Sequence, residues 1–329
     1  MQSEIRKTLL EVFSNANGEY ISGQKLSERL GCSRTAVWKH IEGLRNEGYE
    51  LEAVRKLGYR IISKPDKISS NEIQLGLKTS SLGRNIHFEE TVTSTQKIAH
   101  HLAYEGAPEG TIVVAEEQTA GRGRLDRVWH SPKHTGVWMS IILRPNIPPY
   151  QAPQLTLLAA VGVVQGIQEA TGLEADIKWP NDILLNNKKV VGILTELQAE
   201  ADRINSVIIG IGINVNHTES HFPDFLKNIA TSLAIQKGEG IDRARLIQCI
   251  LVKIEKLYGE YLQHGFKIIK LLWESYAISI GQNIIARTLT GAIEGKALGI
   301  TDEGVLQLKS LDGTIHHIHS ADIELTQNK

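Results

Sequence analysis

Between Ser22 and Gly48 the chain carries two short amphipathic segments, each opened by a serine and closed by a glycine, joined at Gly31-Cys32. A serine hydroxyl accepts hydrogen bonds from the free amides of a first helical turn, and glycine takes the left-handed conformation that ends a helix. Leu26 and Leu30 lie one turn apart in the first segment, and Val37, Ile41 and Leu44 recur at i, i+4 and i+7 in the second, which starts after Ser33. Few arrangements bury two such short faces, and the spacing predicts a helix-turn-helix. Leu9, Leu10, Val12 and Phe13 give a preceding helix its apolar face, and Leu51–Val54 and Gly58–Ile62 read as strands around the basic turn Arg55-Lys56-Leu57. The first 62 residues therefore look like a winged helix-turn-helix.

Ser63-Lys64-Pro65-Asp66-Lys67 is polar, broken by proline and read as a linker. Ser69-Ser70-Asn71-Glu72 has capping-box spacing and is expected to open a new helix and a new domain. From there to about residue 278 helical and strand patterns alternate, so an α/β or α+β domain is expected, with its strand order left open. Thr111–Glu116, Ala175–Trp179, Val190–Glu196 and Val207–Val215 are strand-like. Ser94 is expected to cap a helix ending near Gly106, and Ile241–Gln263 is a long helical stretch. After Gly281 short strands alternate with Thr290-Gly291, Glu303-Gly304 and Asp312-Gly313, the texture of a small β-barrel.

With 329 residues the chain is long enough for two or three cores, and 41% apolar with 22% charged residues is ordinary for a soluble protein. The net charge of -1 gives no global pull toward nucleic acid or membrane. Residues 1–65 nevertheless hold eleven Lys/Arg against eight Asp/Glu, a local excess of three. Cys32 and Cys249 are far apart and lack C-x-x-C spacing, which argues against a disulfide framework or a cysteine zinc site. The N-terminus lacks a signal-peptide h-region, and the most apolar run, Leu155–Val164, is too short for a bilayer. It reads as a buried helix begun near Pro153 and stopped at Gly172. A cytoplasmic protein without a membrane partner is expected.

Gly121-Arg122-Gly123-Arg124 leaves the Thr111–Glu116 strand as a loop whose backbone can approach a ligand while two guanidinium forks face phosphate or carboxylate oxygens. A flexible basic turn is the plain alternative. Lys178 stands where a strand meets Trp179-Pro180, so proline fixes its base and aims its ammonium at negative charge developing in a transfer reaction. A surface lysine lying over Trp179 is the alternative there. Asn181 and Asp182 can position a nucleotide or its metal, or form a turn. In Val207–Asn216, Gly210 and Gly212 share a strand face, so something flat or bulky approaches it, or a helix packs closely; Asn214 and Asn216 are candidate nucleotide contacts. In the N-terminal region Ser33, Arg34, Thr35, Lys39 and His40 are the candidate DNA contacts of the third helix, with Arg55 and Lys56 on the wing. Trp38 is read as packing. Few phosphate contacts fit on one such domain, so a dimer on a two-fold symmetric site is expected. His317 with His319 lacks a third ligand and His100-His101 diverge on a helix, so no metal site is expected.

Together these pieces resemble the bifunctional biotin–protein ligase and biotin operon repressor family along the length of the chain. The resemblance is carried by the winged helix, Ser94-Thr95-Gln96, Gln118–Arg124, Trp129-His130-Ser131-Pro132, Lys178–Asp182, Lys189 with Val191-Gly192-Ile193-Leu194, and Gly210–Asn214. It implies an α+β multidomain protein: a winged helix-turn-helix over 1–65, a class II synthetase-like ligase domain with a mixed sheet over 66–280, and an SH3-like β-barrel over 281–329. It implies that ATP with Mg2+ activates biotin to biotinyl-5′-adenylate, and that a lysine of a carboxylase's biotin carrier domain then takes the biotinyl group. The adenylate would also act as corepressor for a homodimer on the operator of biotin genes. Ser94, Thr95, Gln96, Gln118, Arg122, Gly123, Arg124 and Lys178 would hold biotin. Arg122, Arg124, Arg127, Trp129, Asn181 and Asn214 would hold the nucleotide, with Lys178 and Arg124 acting in catalysis.

The chain departs from many members at Gln96, where Asn is common, and at Leu125-Asp126 after the arginine loop. Two other readings stay open on the residues alone: a ligand-sensing transcription factor without ligase activity, and a lipoate–protein ligase.

Overall fold

The computed structural model describes residues 2–16, 18–63, 66–200 and 203–326; Lys64 and Pro65 of the expected linker lie outside them. The chain divides into two compact units, residues 1–78 and 79–329.

The first unit contains α1 (Gln2–Asn15), α2 (Gly23–Leu30), α3 (Arg34–Asn46), the hairpin β1 (Glu50–Val54) and β2 (Gly58–Ser63), and α4 (Ser70–Gln74). The expected caps form: Ser22 Oγ accepts from Lys25 N and Ser33 Oγ from Ala36 N, both at 3.2 Å, while Gly31 is left-handed at φ 62°. Leu9, Leu10, Leu26, Val37, Ile41 and Leu44 form a closed apolar core. Trp38 corrects the sequence reading, because its side chain is 51% exposed. One residue beyond Val37, a helix turns by about 100° and carries the side chain off the buried stripe. Ser69 does cap α4, accepting from Glu72 N at 3.2 Å. That helix nevertheless belongs to the first unit, since the Tyr49 hydroxyl donates to the Glu72 carboxylate and Leu75 packs on the apolar core. The unit thus ends thirteen residues later than the composition break after residue 65 suggests.

The second unit is built on β3 (Ile86–Val92), α5 (Thr95–Tyr104), β4 (Ile112–Gln118), β5 (Gly136–Leu143), α6 (Ala152–Thr171), β6 (Asp176–Lys178), β7 (Asp182–Leu185), β8 (Lys188–Ala199) and β9 (Ile204–Asn214). It continues through α7 (Leu233–Lys237), α8 (Arg243–His264), α9 (Lys267–Tyr276), β10 (Asn283–Thr288), β11 (Gly291–Ile300), β12 (Leu306–Lys309), β13 (Ile315–Ile318) and β14 (Asp322–Leu325). Seven strands form a mixed sheet in the order β3-β4-β5-β9-β8-β7-β6, with β3 and β4 parallel and the other neighbours antiparallel. The last five strands make an antiparallel sheet ordered β13-β12-β11-β10-β14.

Strand alternation assigns the two faces of the large sheet. On one, Ile208 meets Ala99 and Ala103 of α5. On the other, Thr195 accepts from Thr156 of α6 at 2.7 Å. Helices α6 and α8 lie close because Gly162 and Gly166 face Ile254 and Ile250, where an added Cβ would come within 2.6 and 2.5 Å of side-chain carbons. The C-terminal sheet packs within this unit, where Gln154 Nε2 donates to Asp302 O at 2.8 Å and Lys270 pairs with Asp302.

Inside the unit Arg243 at the start of α8 is fully buried and donates to Glu116 Oε2 at 2.8 Å and to Gly136 O at 3.1 Å, tying α8 to β4 and β5. Removing one partner strands the other charge in a low dielectric. Arg243→Ala should therefore lower unfolding stability by about 3–5 kcal/mol, while Glu116→Leu with Arg243→Leu should cost much less. Chemical denaturation of the three proteins checks this.

Candidate functional site

The α5 side of the large sheet opens into a cavity of about 500 Å³. Its floor is set by missing side chains. Gly192 on β8 and Gly212 on β9 are register partners, and the Trp129 ring lies across them; a Cβ would meet it at 2.8 Å from Gly192 and 2.5 Å from Gly212. A Cβ on Gly210 would come within 2.6 Å of Gln96 Oε1. The glycine face predicted to receive something flat thus receives an indole and an amide from the protein itself.

The structure brings together in this cavity all twelve residues expected to hold biotin or nucleotide. Ser94, Thr95 and Gln96, at the start of α5, are nearly inaccessible, and Ser94 caps nothing with its side chain, which leaves its hydroxyl to the cavity. Gln118 at the end of β4 accepts from Thr95 N at 2.9 Å and donates to Ser131 Oγ at 3.0 Å. Gln96, the departure from Asn, fills its own place: Nε2 donates to Leu194 O at 3.3 Å and Ile208 O at 3.2 Å, and Oε1 accepts from Ser140 Oγ at 2.9 Å. Ser140 was missed from sequence. A serine inside the wholly buried strand β5 is the signal that could have found it, because a buried hydroxyl requires partners.

The arginine loop crosses one side of the cavity. Arg122 pairs with Glu196 at 3.1 Å, and the same carboxylate takes His100 Nε2 at 3.0 Å. Arg124 donates to Asn181 Oδ1 at 3.3 Å and Ser320 Oγ at 2.6 Å, and Arg127 pairs with Asp322, so the turn before β14 and its first residue hold the loop. Burial lowers the pKa of Arg124, and the hydrogen bond from Arg127 keeps the Asp322 carboxyl below its ordinary range. Leu125 and Asp126 both have positive φ, 55° and 54°, a left-handed pair that non-glycine residues adopt at a cost.

Lys178 ends β6 directly before the turn at Pro180, paired in register with Asp182 of β7, and its ammonium makes no hydrogen bond or ion pair among the described residues. A second lysine, Lys189, also lines the cavity; it pairs with Asp182 at 2.6 Å and lies 5.2 Å from the Trp129 ring centroid. Its place in the motif with Gly192 was visible in sequence, but its convergence with Lys178 was not. Asn181 and Asn214 are buried, donating to Ile193 O and Thr231 O at 2.7 and 3.1 Å. Asn216 does not join them: its amide both donates to and accepts from the backbone of Ile241. The lining holds five cations (Arg122, Arg124, Arg127, Lys178, Lys189) against the carboxylates Asp182 and Asp322, an excess of three positive charges. Arg122 Nε and Trp129 Nε1 are buried there without hydrogen-bond partners among the described residues. Such a site is built for an anion presenting several acceptors.

In the first unit, Arg34, Thr35, Lys39, Arg55 and Lys56 are exposed, as is Ser33, whose hydroxyl is spent on the cap. Arg34 is oriented by Gln24 Oε1 at 2.9 Å. His40 is half-buried and, one step of about 100° past Lys39, turns toward the far flank of the helix.

Residues 88–214 match the biotin/lipoate A/B protein ligase family, residues 5–60 an HTH domain, and residues 279–326 the biotin protein ligase C-terminal domain. The bifunctional ligase/repressor BirA of Bacillus subtilis is 64% identical over 99% of this chain and 100% of its own length. Its namesake from Escherichia coli is 28% identical over 94% of each chain. The structure of the biotin protein ligase from Aquifex aeolicus in complex with biotin and ATP superposes with a TM-score of 0.64 at 31% identity, covering 74% of this chain and all of that one. An arginine-rimmed, glycine-floored cavity in one unit and a helix-turn-helix in the other thus accompany 64% identity over nearly the whole chain, and the chain belongs to the family of bifunctional biotin–protein ligases and repressors.

Proposed function

We propose that this protein condenses biotin with ATP and passes the biotinyl group to a carrier-protein lysine, and that it represses transcription of biotin genes when loaded with the intermediate. The observation that supports the ligase reading is the gathering of all twelve expected residues in one cavity with three excess positive charges. A biotin carboxylate oxygen attacks the α-phosphorus of ATP, an O–P bond forms, and pyrophosphate departs with the electrons of the broken P–O bond. The neutral amine of the carrier lysine then attacks the acyl carbon, the acyl C–O bond breaks with its electrons going to AMP, and the nitrogen releases one proton.

The first step forces two anions together, and nearby fixed cations lower its barrier. Arg122 and Arg124 serve the carboxylate and phosphate, with Gly123 letting the backbone approach. Lys178, a cation with no ion-pair partner among the described residues, is held by the end of β6. Ser94, Thr95, Gln96 and Gln118 supply the polar contacts to biotin, and Arg127, Trp129, Asn181 and Asn214 those to the nucleotide. Asp182, a carboxylate in the cavity, would help hold an Mg2+ brought with ATP, which would offset phosphate charge. The loop ordering over the adenylate excludes water from a hydrolysable bond. The same ordering favours the homodimer on operator DNA, which makes biotinyl-5′-adenylate the corepressor. The acceptor is the biotin carrier domain of acetyl-CoA carboxylase or a related carboxylase. Both cysteines are free, in keeping with a cytoplasmic protein, and no helix among the described residues is long and apolar enough to cross a membrane.

Biotin-dependent exchange of pyrophosphate into ATP tests the reaction. Lys178→Ala should reduce it by about 10²-fold or more, and unchanged exchange would remove Lys178 from the mechanism. Competition by lipoate for labelled biotin distinguishes the lipoate reading, and tight biotin binding without carrier labelling would favour a sensor without ligase activity.

For the repressor role, Lys39→Ala should weaken binding to a biotin-gene promoter fragment and reduce the slope of log affinity against log salt by about one. Gel shifts with and without biotin plus ATP, over a salt series, give both numbers.

A further inference from the structure

We propose that the Trp38 indole reads DNA sequence, seated against thymine methyl groups in the major groove. The inference rests on the DNA-binding reading above and adds to it a contact that the charged residues cannot supply.

Trp38 stands apart from the other tryptophans. Trp138 and Trp273 are fully buried, Trp179 is 3% exposed, and Trp129 lies on Gly192 and Gly212, whereas Trp38 is 51% exposed. The fold of the first unit does not use this open part: its core is closed by Val37, Ile41 and Leu44 from the same helix. Among the described residues the indole has no ring or cation partner. It lies one turn after Arg34, three residues after Thr35 and next to Lys39, all exposed. The helix has one acid, Glu42, and Arg45 pairs with it at 2.6 Å. An apolar plate among cations, with the nearby acid neutralised, complements a groove whose walls are phosphate and whose floor carries methyl groups. The early residues of such a helix reach base edges, and the thymine methyl is the apolar mark in the major groove. Arg34, Lys39, Arg55 and Lys56 can contact any phosphate, so they position more than they select. The indole can discriminate.

The test uses the full chain with biotin and ATP, a duplex that the wild type enriches from a random-sequence pool, and the random pool as control. Trp38→Ala should weaken binding to the enriched duplex by about tenfold or more, change binding to the random pool by less than about twofold, and leave the salt slope unaltered. In the wild type, acrylamide quenching of the accessible tryptophan fluorescence should fall when the enriched duplex is added, and Trp38→Ala should lose that accessible component. Trp38→Phe, which keeps an apolar ring, should recover part of the affinity. Equal affinity of wild type and Trp38→Ala for the enriched duplex overturns the proposal, as does equal weakening on both DNAs. Protection of Trp38 from quencher by concentrating the protein without DNA also overturns it, assigning the face to a second copy. Failure of the wild type to enrich any duplex overturns the DNA-binding reading itself.

Discussion

The catalytic unit depends on one packing constraint, the absence of side chains at Gly192 and Gly212. Their backbones pair across β8 and β9, and the Trp129 ring lies on both at distances no Cβ would allow. With the indole lowered onto the sheet, the loop that carries it reaches across the cavity. The same loop contributes Arg122, Arg124 and Arg127. The flat floor therefore decides where the arginines stand as well as how deep the cavity is.

Those arginines are engaged in the protein itself. Glu196 holds Arg122, Asn181 and Ser320 hold Arg124, and Asp322 holds Arg127. An anionic ligand in this cavity would therefore compete for cations that already have partners. The left-handed pair Leu125-Asp126 lies in this loop, so strain and charge competition meet in one segment. Because Ser320 and Asp322 come from the C-terminal sheet, that sheet belongs physically to the binding cavity. Lys178 contrasts with the arginines. It comes from a strand end rather than a loop and keeps its ammonium unpaired among the described residues.

The two units differ in how openly their sequence states their structure. In the first, α2 and α3 are announced by serines whose hydroxyls cap them, and α2 ends at the left-handed Gly31. Its surface was less readable. The sequence suggests packing for Trp38, since an indole beside an apolar stripe favours burial, yet the small core closes without it. In the second unit the strands Ile86–Val92, Gly136–Leu143 and Asp182–Leu185 went unpredicted. The second of these is buried along its whole length and lacks the alternation that marks a half-exposed strand. The motif residues stood out because glycine, arginine and proline combine in unusual local patterns, while Ser140 did not, because one serine in an apolar run has no local signature.

The sequence by itself determined the helix-turn-helix, the identity of twelve residues that line the cavity, and the resemblance to a known family. These are properties of short segments, set by capping, backbone freedom and side-chain charge. Tertiary structure decided what required partners distant in the chain. It chose the strand order, placed Lys189 with Lys178, turned Asn216 toward Ile241, kept α4 with the first unit and brought Asp322 to Arg127. Each of these depends on which surfaces meet once the core has closed, and burial and charge pairing across many residues settle that in space rather than along the chain.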